Sequence, residues 1–133
     1  MENDILKAIA QLPSANKFAI GNDLVFIPDF EKSLNDLFIK KAYNQAEITY
    51  CEQFDNSTLR YASTWAAKEA VYKAVKQLDA SALGPKKIEI VREKTAGKPS
   101  VILHKKNAAY TISLTLSHDG DYVWAIAMIA IPS

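Results

Sequence analysis

The chain has 133 residues and a formal net charge of +1; 49% of its residues are hydrophobic and 23% are charged. This length fits one domain with a sizeable core, and the ordinary composition excludes disordered and fibrous proteins. The nearly neutral charge argues against a nucleic-acid partner, which would need a strongly basic surface. A single cysteine, Cys51, excludes an internal disulfide. Its place near Tyr50 and Phe54 in a predicted helix favours a buried structural thiol over a nucleophile.

No segment approaches the roughly 20 consecutive apolar residues that a membrane-spanning helix needs. The first four residues also lack the basic start of a secretory leader. We therefore expect a soluble, cytoplasmic protein without a membrane partner. An acidic partner would need a local basic patch, and three lysine pairs offer one: Lys40-Lys41, Lys86-Lys87 and Lys105-Lys106.

The chain begins with a predicted helical extension. Apolar residues from Asp4 to Leu12 follow helical spacing, and Pro13-Ser14 end the segment. We assign residues 1–17 to this extension and residues 18–133 to a single domain, because no repeat, low-complexity tract or linker divides the remainder.

A strand opens the domain and three helices follow it. Residues Phe18–Ile27 predict the strand, interrupted at Gly21-Asn22-Asp23, and Pro28 ends it because proline has no amide donor for a ladder. Spacing and propensity then predict three helical segments: Phe30–Lys41, Asn44–Phe54, and a long helix from Ser57 or Thr58 to about Leu78. Asn44 suits an N-cap, and Glu47 three residues later completes a capping-box pattern.

Beyond Gly84-Pro85 the sequence predicts strands joined by turns. The strand candidates are Lys87–Glu93, Ser100–Lys105, Tyr110–Ser117 and Tyr122–Ile131. The turns between them are Ala96-Gly97-Lys98-Pro99 and His118-Asp119-Gly120-Asp121. Leading helices followed by strands indicate an α+β fold, a single domain with a mainly antiparallel sheet packed against the long helix.

The long helix carries two candidate site residues, Glu69 and Lys73. They stand at positions i and i+4 and therefore share a helix face. The ordinary interpretation is a solvated ion pair worth roughly 0.3–0.5 kcal/mol. Close approach by a ligand or another backbone is the alternative, because four nearby residues are small: Ala66, Ala67, Ala70 and Ala74. Lys68 lies about 100° round the helix and faces a different neighbour.

Asp23 is a second acidic candidate. It lies within an apolar strand, where an unpaired carboxylate is costly and should have a partner or a metal; a local Asx turn is the ordinary alternative. If Asp23 and Glu69 converge, they form an oxygen site suited to Mg²⁺, which takes one or two carboxylates and completes its shell with substrate phosphate and water. The lack of a Cys/His cluster argues against structural zinc.

Ser117 and His118 lie at the end of a predicted strand. A histidine there usually makes a local hydrogen bond, but beside Ser117 it could instead donate to a phosphate. Lys98 belongs to the Gly97-Lys98-Pro99 turn, for which a hairpin role is the first interpretation and a phosphate contact the second. His104 has no such context and is expected to be structural. The sequence has no GxxxxGK[ST], GxGxxG or GxSxG motif.

The order of the motifs is informative as a set. It runs through Asp23, Ala46-Glu47-Ile48, Trp65-Ala66-Ala67-Lys68-Glu69-Ala70, Gly97-Lys98-Pro99 and Ser113-Leu114-Thr115-Leu116-Ser117-His118. This order resembles the holo-acyl-carrier-protein synthases, the small 4′-phosphopantetheinyl transferases. The resemblance extends from about Phe18 to Ile131, and its most specific element is the Trp-Ala-Ala-Lys-Glu-Ala segment.

The resemblance implies a reaction. Family members transfer the 4′-phosphopantetheine arm of coenzyme A to a serine of an apo acyl or peptidyl carrier protein and release 3′,5′-ADP. Asp23 and Glu69 match the metal-binding acids, which implies Mg²⁺, and Lys73 matches the lysine that contacts the coenzyme A phosphates. Glu69 and Lys73 are thus the expected catalytic residues. The nucleotide end is matched by Lys98, Ser117 and His118. The small members are homotrimers with sites between subunits.

Three departures keep a second interpretation open, a non-catalytic relative that binds coenzyme A or a carrier protein. Thr64 stands where many relatives carry arginine. The stretch Pro28-Asp29-Phe30-Glu31-Lys32 is hardly basic, whereas relatives often have a basic helix there that docks the acidic carrier. Finally, residues 1–17 extend beyond the usual start.

Overall fold

The computed structural model describes residues 4–5, 16–92, 98–106 and 109–132. Its elements are β1 (Asn16–Phe26), α1 (Ile27–Ser33), α2 (Asp36–Ala42), α3 (Gln45–Glu52), α4 (Ser57–Leu78), a 3₁₀ turn (Pro85–Lys87), β2 (Ile88–Val91), β3 (Ser100–Leu103), β4 (Thr111–Asp119) and β5 (Tyr122–Pro132). Of the predicted helix Asp4–Leu12, Asp4 and Ile5 are helical and the rest lies outside the described residues. No helix within these ranges is long and apolar enough to cross a bilayer.

The strands form two antiparallel sheets. The larger has the order β1-β5-β4, and the smaller pairs β2 with β3. Side chains alternate along each strand, so that Ala19 and Val25 of β1 and Val123 and Ile129 of β5 are buried under α4. The predicted α+β fold, with an antiparallel sheet against the long helix, is confirmed.

The small residues of α4 let β1 cross the helix so closely that the two backbones are in contact. A Cβ atom at Gly21 would lie 2.1 Å from the carbonyl oxygen of Ala70 and 2.7 Å from the amide nitrogen of Ala74. Only a residue without a side chain fits there. The crossing brings the next inward-facing residue of β1, Asp23, over the same face of the helix.

Two predicted boundaries in this region were wrong. The strand is not interrupted at Gly21-Asn22-Asp23: β1 pairs with β5 through these residues, and Gly21 serves the helix crossing instead of a turn. The single helix Phe30–Lys41 is two helices, because Leu34 is extended and the Asn35 side chain accepts a hydrogen bond from the Phe38 amide at 2.8 Å, which starts α2.

The later elements follow the predictions more closely. The carboxylate of Glu47 accepts a hydrogen bond from the Asn44 amide at 2.7 Å, as the capping box requires, and α4 has the predicted limits. Strands β2 and β3 are shorter than predicted. Strand β4 continues to Asp119, past the predicted end at Ser117, because His118 and Asp119 still pair with β5.

Candidate active site

Asp23, Glu69 and Lys73 meet where β1 crosses α4. The Lys73 ammonium lies 2.9 Å from Asp23 Oδ1 and donates a second hydrogen bond to the Asn22 carbonyl at 3.1 Å. The Asp23 side chain is 17% exposed and that of Lys73 49% exposed. The partner expected for the strand carboxylate is therefore Lys73, and the contact remains open to solvent on the lysine side.

Glu69 lies one turn before Lys73 on the same helix and is half-buried. Burial raises the pKa of its carboxyl group, the neighbouring Asp23 raises it further, and Lys73 opposes both. Among the described residues, no ion pair engages the Glu69 carboxylate. Two carboxylates thus lie near one another, Lys73 pairs with Asp23, and Glu69 has no ion-pair partner in the part of the chain that the structure describes.

The donor set fits Mg²⁺. Hard carboxylate oxygens from Asp23 and Glu69 are the ligands that this ion prefers, and it commonly takes only one or two of them from a protein. No group of three or more His, Cys, Asp or Glu residues suited to holding a metal occurs in the described ranges, which is not the pattern of a structural zinc site.

Lys68 faces a different neighbour from Glu69 and belongs to the core. Its ammonium lies 2.8 Å from Glu47 and donates to the carbonyls of Pro85 at 2.8 Å and Ile88 at 2.6 Å. Glu47 in turn accepts from the Ile90 amide at 2.9 Å, and both charged side chains are 1% exposed. Burial lowers the pKa of Lys68, while the Glu47 carboxylate opposes that shift. The pair ties α3, α4 and β2 together.

Ser117 and His118 lie apart from the acids, in a cavity of about 240 Å³. The other lining residues are Leu59, Arg60, Ser63, Arg92, Leu116 and Val123. His118 makes a local contact, with Nε2 lying 2.9 Å from the Gly120 carbonyl oxygen, as the ordinary interpretation predicted. The structure therefore separates the predicted site into an acidic cluster and a polar cavity.

The two arginines of this cavity were missed by the sequence reasoning. Arg92 stacks on Tyr50, with 4.5 Å between guanidinium carbon and ring centroid, and donates to the Thr64 hydroxyl. Arg60 lies 4.0 Å above the ring of Phe54. Burial lowers the pKa of Arg92, and no carboxylate pairs with either arginine among the described residues. No motif in the sequence links either arginine to the aromatic ring that it contacts.

The remaining candidates have simpler surroundings. Lys98 is exposed, but Gly97 lies outside the described residues, so the predicted turn is only partly placed. His104 pairs with Glu89 at 2.8 Å, in keeping with a structural role. Cys51 is fully buried, as predicted, and burial raises its pKa to about 11, which disfavours the reactive thiolate.

Comparison with known families decides the classification. The family description "4′-phosphopantetheinyl transferase superfamily" matches residues 19–127. The chain belongs to this superfamily. The resemblance drawn from the order of the motifs is thereby confirmed.

Individual relatives are of two sizes. A holo-[acyl-carrier-protein] synthase from Chlorobaculum parvum is 34% identical over 114 residues, which cover 83% of this chain and 96% of that protein. The fatty acid synthase alpha subunit of Dothistroma septosporum is 32% identical over 123 residues, which cover 86% of this chain. The chain spans only 7% of the length of that subunit.

A solved structure shows that this chain shares its fold with another protein. The ACPS–CoA complex from Chronobacterium ammoniagenes superimposes with a TM-score of 0.72 at 26% identity, covering 85% of this chain and 96% of that one. The antiparallel sheet and long helix of the present chain are therefore those of this family.

Proposed function

We propose that this protein transfers 4′-phosphopantetheine from coenzyme A to a serine of an apo carrier protein and releases 3′,5′-ADP. The observation that carries the proposal is the cluster of Asp23, Glu69 and Lys73, two acids and a lysine gathered at one helix crossing, where no ion pair from a described residue engages Glu69. Membership of the superfamily and likeness to a relative bound to coenzyme A support it.

In the proposed reaction the serine oxygen forms a bond to the phosphorus that bears the pantetheine arm. The bond from that phosphorus to the bridging oxygen breaks, and its electron pair leaves with 3′,5′-ADP. Lys73 would add fixed positive charge beside the phosphates. Glu69 is the candidate base for the serine proton, through a water molecule, since its raised pKa makes it a better proton acceptor than an ordinary carboxylate.

Asp23 and Glu69 would also hold Mg²⁺. Their oxygens form the kind of donor set that this ion shares with phosphates and water. When bound, the ion would neutralise charge that develops on the diphosphate during transfer. The protein's own part is to hold the two acids together across the Gly21 crossing and to orient the lysine beside them.

The cavity around Ser117 and His118 is proposed to hold the nucleotide end of coenzyme A. Arg60 and Arg92 line it, and no carboxylate in the described part of the chain pairs with either, so two positive charges face a phosphate monoester there. Thr64 stands where relatives often carry arginine, and the guanidinium at its hydroxyl group comes from Arg92 instead. Lys98 remains a prediction for the same end of the substrate.

A lysine patch supports an acidic carrier protein as the partner. Lys40 and Lys41 share the exposed face of α2 with Leu37, and the 3₁₀ turn with Lys86 and Lys87 packs against this helix. No ion pair engages these four lysines among the described residues. If the carrier docks here, the double variant Lys40→Glu/Lys41→Glu loses transfer more than Lys32→Glu on α1; equal losses would contradict this surface.

The outer face of the larger sheet supports association of several copies, and a homotrimer is the form that the resemblance implies. Its exposed apolar side chains are Phe18, Ile20, Leu24, Phe26, Tyr122, Trp124 and Met128. A contiguous patch of this kind marks an interface. Sedimentation equilibrium is expected to give three times the mass of the chain, and Met128→Glu is expected to lower it, whereas Ile102→Glu on β3 leaves it unchanged.

The function is tested by intact-mass analysis of apo carrier proteins incubated with the protein, coenzyme A and Mg²⁺. We expect a phosphopantetheine-sized mass gain that chelation of the metal removes. Asp23→Ala and Glu69→Ala are each expected to abolish it while leaving the circular-dichroism spectrum unchanged. Undiminished transfer in both variants would contradict the proposed site. Saturable coenzyme A binding without transfer to any carrier would instead indicate the non-catalytic alternative.

A further inference from the structure

Strand β1 lies at one edge of the larger sheet, and in the described part of the chain no strand pairs with its outer side. Two side chains of α4 bind carbonyl groups of this strand. The Gln77 side-chain amide donates to the Ile20 carbonyl at 2.8 Å, and the Lys73 ammonium donates to the Asn22 carbonyl at 3.1 Å. The Gln77 amide also donates to the Lys73 carbonyl at 3.2 Å. Both of its hydrogens therefore have acceptors within the fold.

The spacing of these two donors fits the spacing of the carbonyls that they bind. Gln77 follows Lys73 by four residues of helix, and Ile20 precedes Asn22 by two residues of strand; each of these steps spans about 6 to 7 Å. Gly21, between the two carbonyls, is the residue at which the backbones of β1 and α4 are in contact. The strand is thus hydrogen-bonded to the helix on both sides of its contact point.

The two hydrogen bonds differ in what competes for their donors. The Lys73 ammonium also pairs with Asp23 at 2.9 Å, and a phosphate that draws it away competes with both contacts. The Gln77 amide is uncharged, and its hydrogens are used within the fold, so no anion competes for it. Resting on the proposed function, we propose that Gln77 is a positioning residue: it keeps β1 on α4, and hence Asp23 beside Glu69, while Lys73 contacts the substrate.

Hydrogen exchange of the ligand-free protein tests the contact to the strand without relying on activity. Gln77→Met removes both donors and keeps the length and helix propensity of the side chain. We expect the peptide of residues 18–26 to exchange about three- to five-fold faster, the change that the loss of one ordinary hydrogen bond produces. The increase should be larger when Lys73→Met has already removed the other contact. Gln45→Met is the matched control, because that amide binds Thr49 within α3, and it leaves this peptide unchanged. Wild-type exchange in Gln77→Met, with and without Lys73→Met, would overturn the proposal.

Transfer kinetics test the consequence for Asp23. Gln77→Met is expected to lower kcat about five-fold and to raise the Mg²⁺ concentration for half-maximal transfer by a similar factor, with the KM for coenzyme A changed less than about two-fold. Gln77→Lys supplies an ammonium that can donate to the Ile20 carbonyl, as that of Lys73 does to Asn22, and should restore most of the rate.

A raised KM with kcat unchanged, or no recovery in a folded Gln77→Lys protein, would overturn the positioning role. A wild-type protein that transfers to no carrier would refute the proposed function, and the exchange measurement would still decide whether Gln77 holds the strand.

Discussion

Lys68 and Glu69 are neighbours in the sequence and lie in opposite chemical situations. The three donors of the Lys68 ammonium are used by Glu47 and two backbone carbonyls, and the pair is shut away from water. Glu69 faces a second acid, has a raised pKa and, in the described part of the chain, makes no ion pair. A charged group whose hydrogen bonds are all made within its own protein stabilises the fold. A charged group that lies beside a like charge without such partners stays available to a ligand.

The largest expected effect separates Lys68 from Lys73, two of the three lysines of α4. Lys68→Met leaves Glu47 buried without a cation, and removing one partner of such a pair costs about 3–5 kcal/mol of the free energy of unfolding. Lys73→Met removes a half-exposed contact to Asp23 and costs less than about 1 kcal/mol. Urea denaturation followed by fluorescence measures both.

Activity is expected to reverse that ranking at low temperature, where both variants are folded. Lys73→Met should lower transfer at least about ten-fold, the loss expected when one fixed charge is removed from a phosphate site, whereas folded Lys68→Met should keep most of it. If the two variants lose stability equally, the buried partners of Lys68 do not stabilise the fold more than the half-exposed contact of Lys73.

The next effect concerns the crossing that brings the acids together. Gly21→Ala puts a methyl group against the backbone of Ala70 and Ala74, which must move apart, and we expect a loss of about 3 kcal/mol or more together with loss of transfer. Gly84→Ala is the control, because a Cβ there meets no heavy atom within 4 Å. A Gly21→Ala protein as stable and active as Gly84→Ala would show that the crossing does not position Asp23.

The next effect concerns the arginine cavity, where Arg92, like Glu69, has no ion-pair partner among the described residues. Arg92→Gln is expected to weaken coenzyme A by about thirty-fold, because it removes a charge-assisted contact to the proposed phosphate. It should weaken dephospho-coenzyme A, which lacks the 3′-phosphate, by less than about three-fold. Lys32→Gln makes the same charge change at an exposed lysine of α1, and should affect neither. Equal weakening of both ligands by Arg92→Gln would place the 3′-phosphate elsewhere.

The acidic cluster could be anticipated from sequence because its parts carry local signals. Glu69 and Lys73 are one helical turn apart, and a carboxylate at Asp23 inside an apolar strand demands a partner. The small residues on the helix also indicated that another backbone approaches closely, and this backbone is that of Gly21. These signals need only helix and strand geometry, and the structure does bring Asp23, Glu69 and Lys73 together.

The arginine cavity could not be anticipated in the same way. Arg60 and Arg92 are 32 residues apart and meet only because β2 returns beside α4. Arg60 rests on Phe54 in the turn before α4 and Arg92 on Tyr50 of α3, and no helix or strand period links either pair. The split between α1 and α2 was missed for a related reason: the Asn35 side chain competes locally for the helix backbone, and periodicity does not register that.

The smallest expected effect tests directly whether the Glu69 carboxylate lacks a stabilising partner in the folded protein. Its pKa is raised in the folded protein above the ordinary 4.5, so the folded state holds the proton more tightly than the unfolded state. Stability from this group is therefore present at low pH and is lost as the pH rises through the raised value. Glu69→Gln removes that loss and should raise the melting temperature at pH 8 by about 2–4 °C.

The gain should vanish near pH 4, where the wild-type group is protonated as well. Glu31→Gln on exposed α1 is the matched control and should shift the melting temperature at neither pH. Transfer by the wild-type protein should fall as acid protonates Glu69, at pH values above those of an ordinary carboxylate, while stability rises over the same interval. Lowering the pH is thus expected to decrease activity and to increase stability through the same carboxylate, as an acid without a partner in the fold should do. A Glu69→Gln protein less stable than wild type at pH 8 would mean that Glu69, like Lys68, already has its partners within the fold.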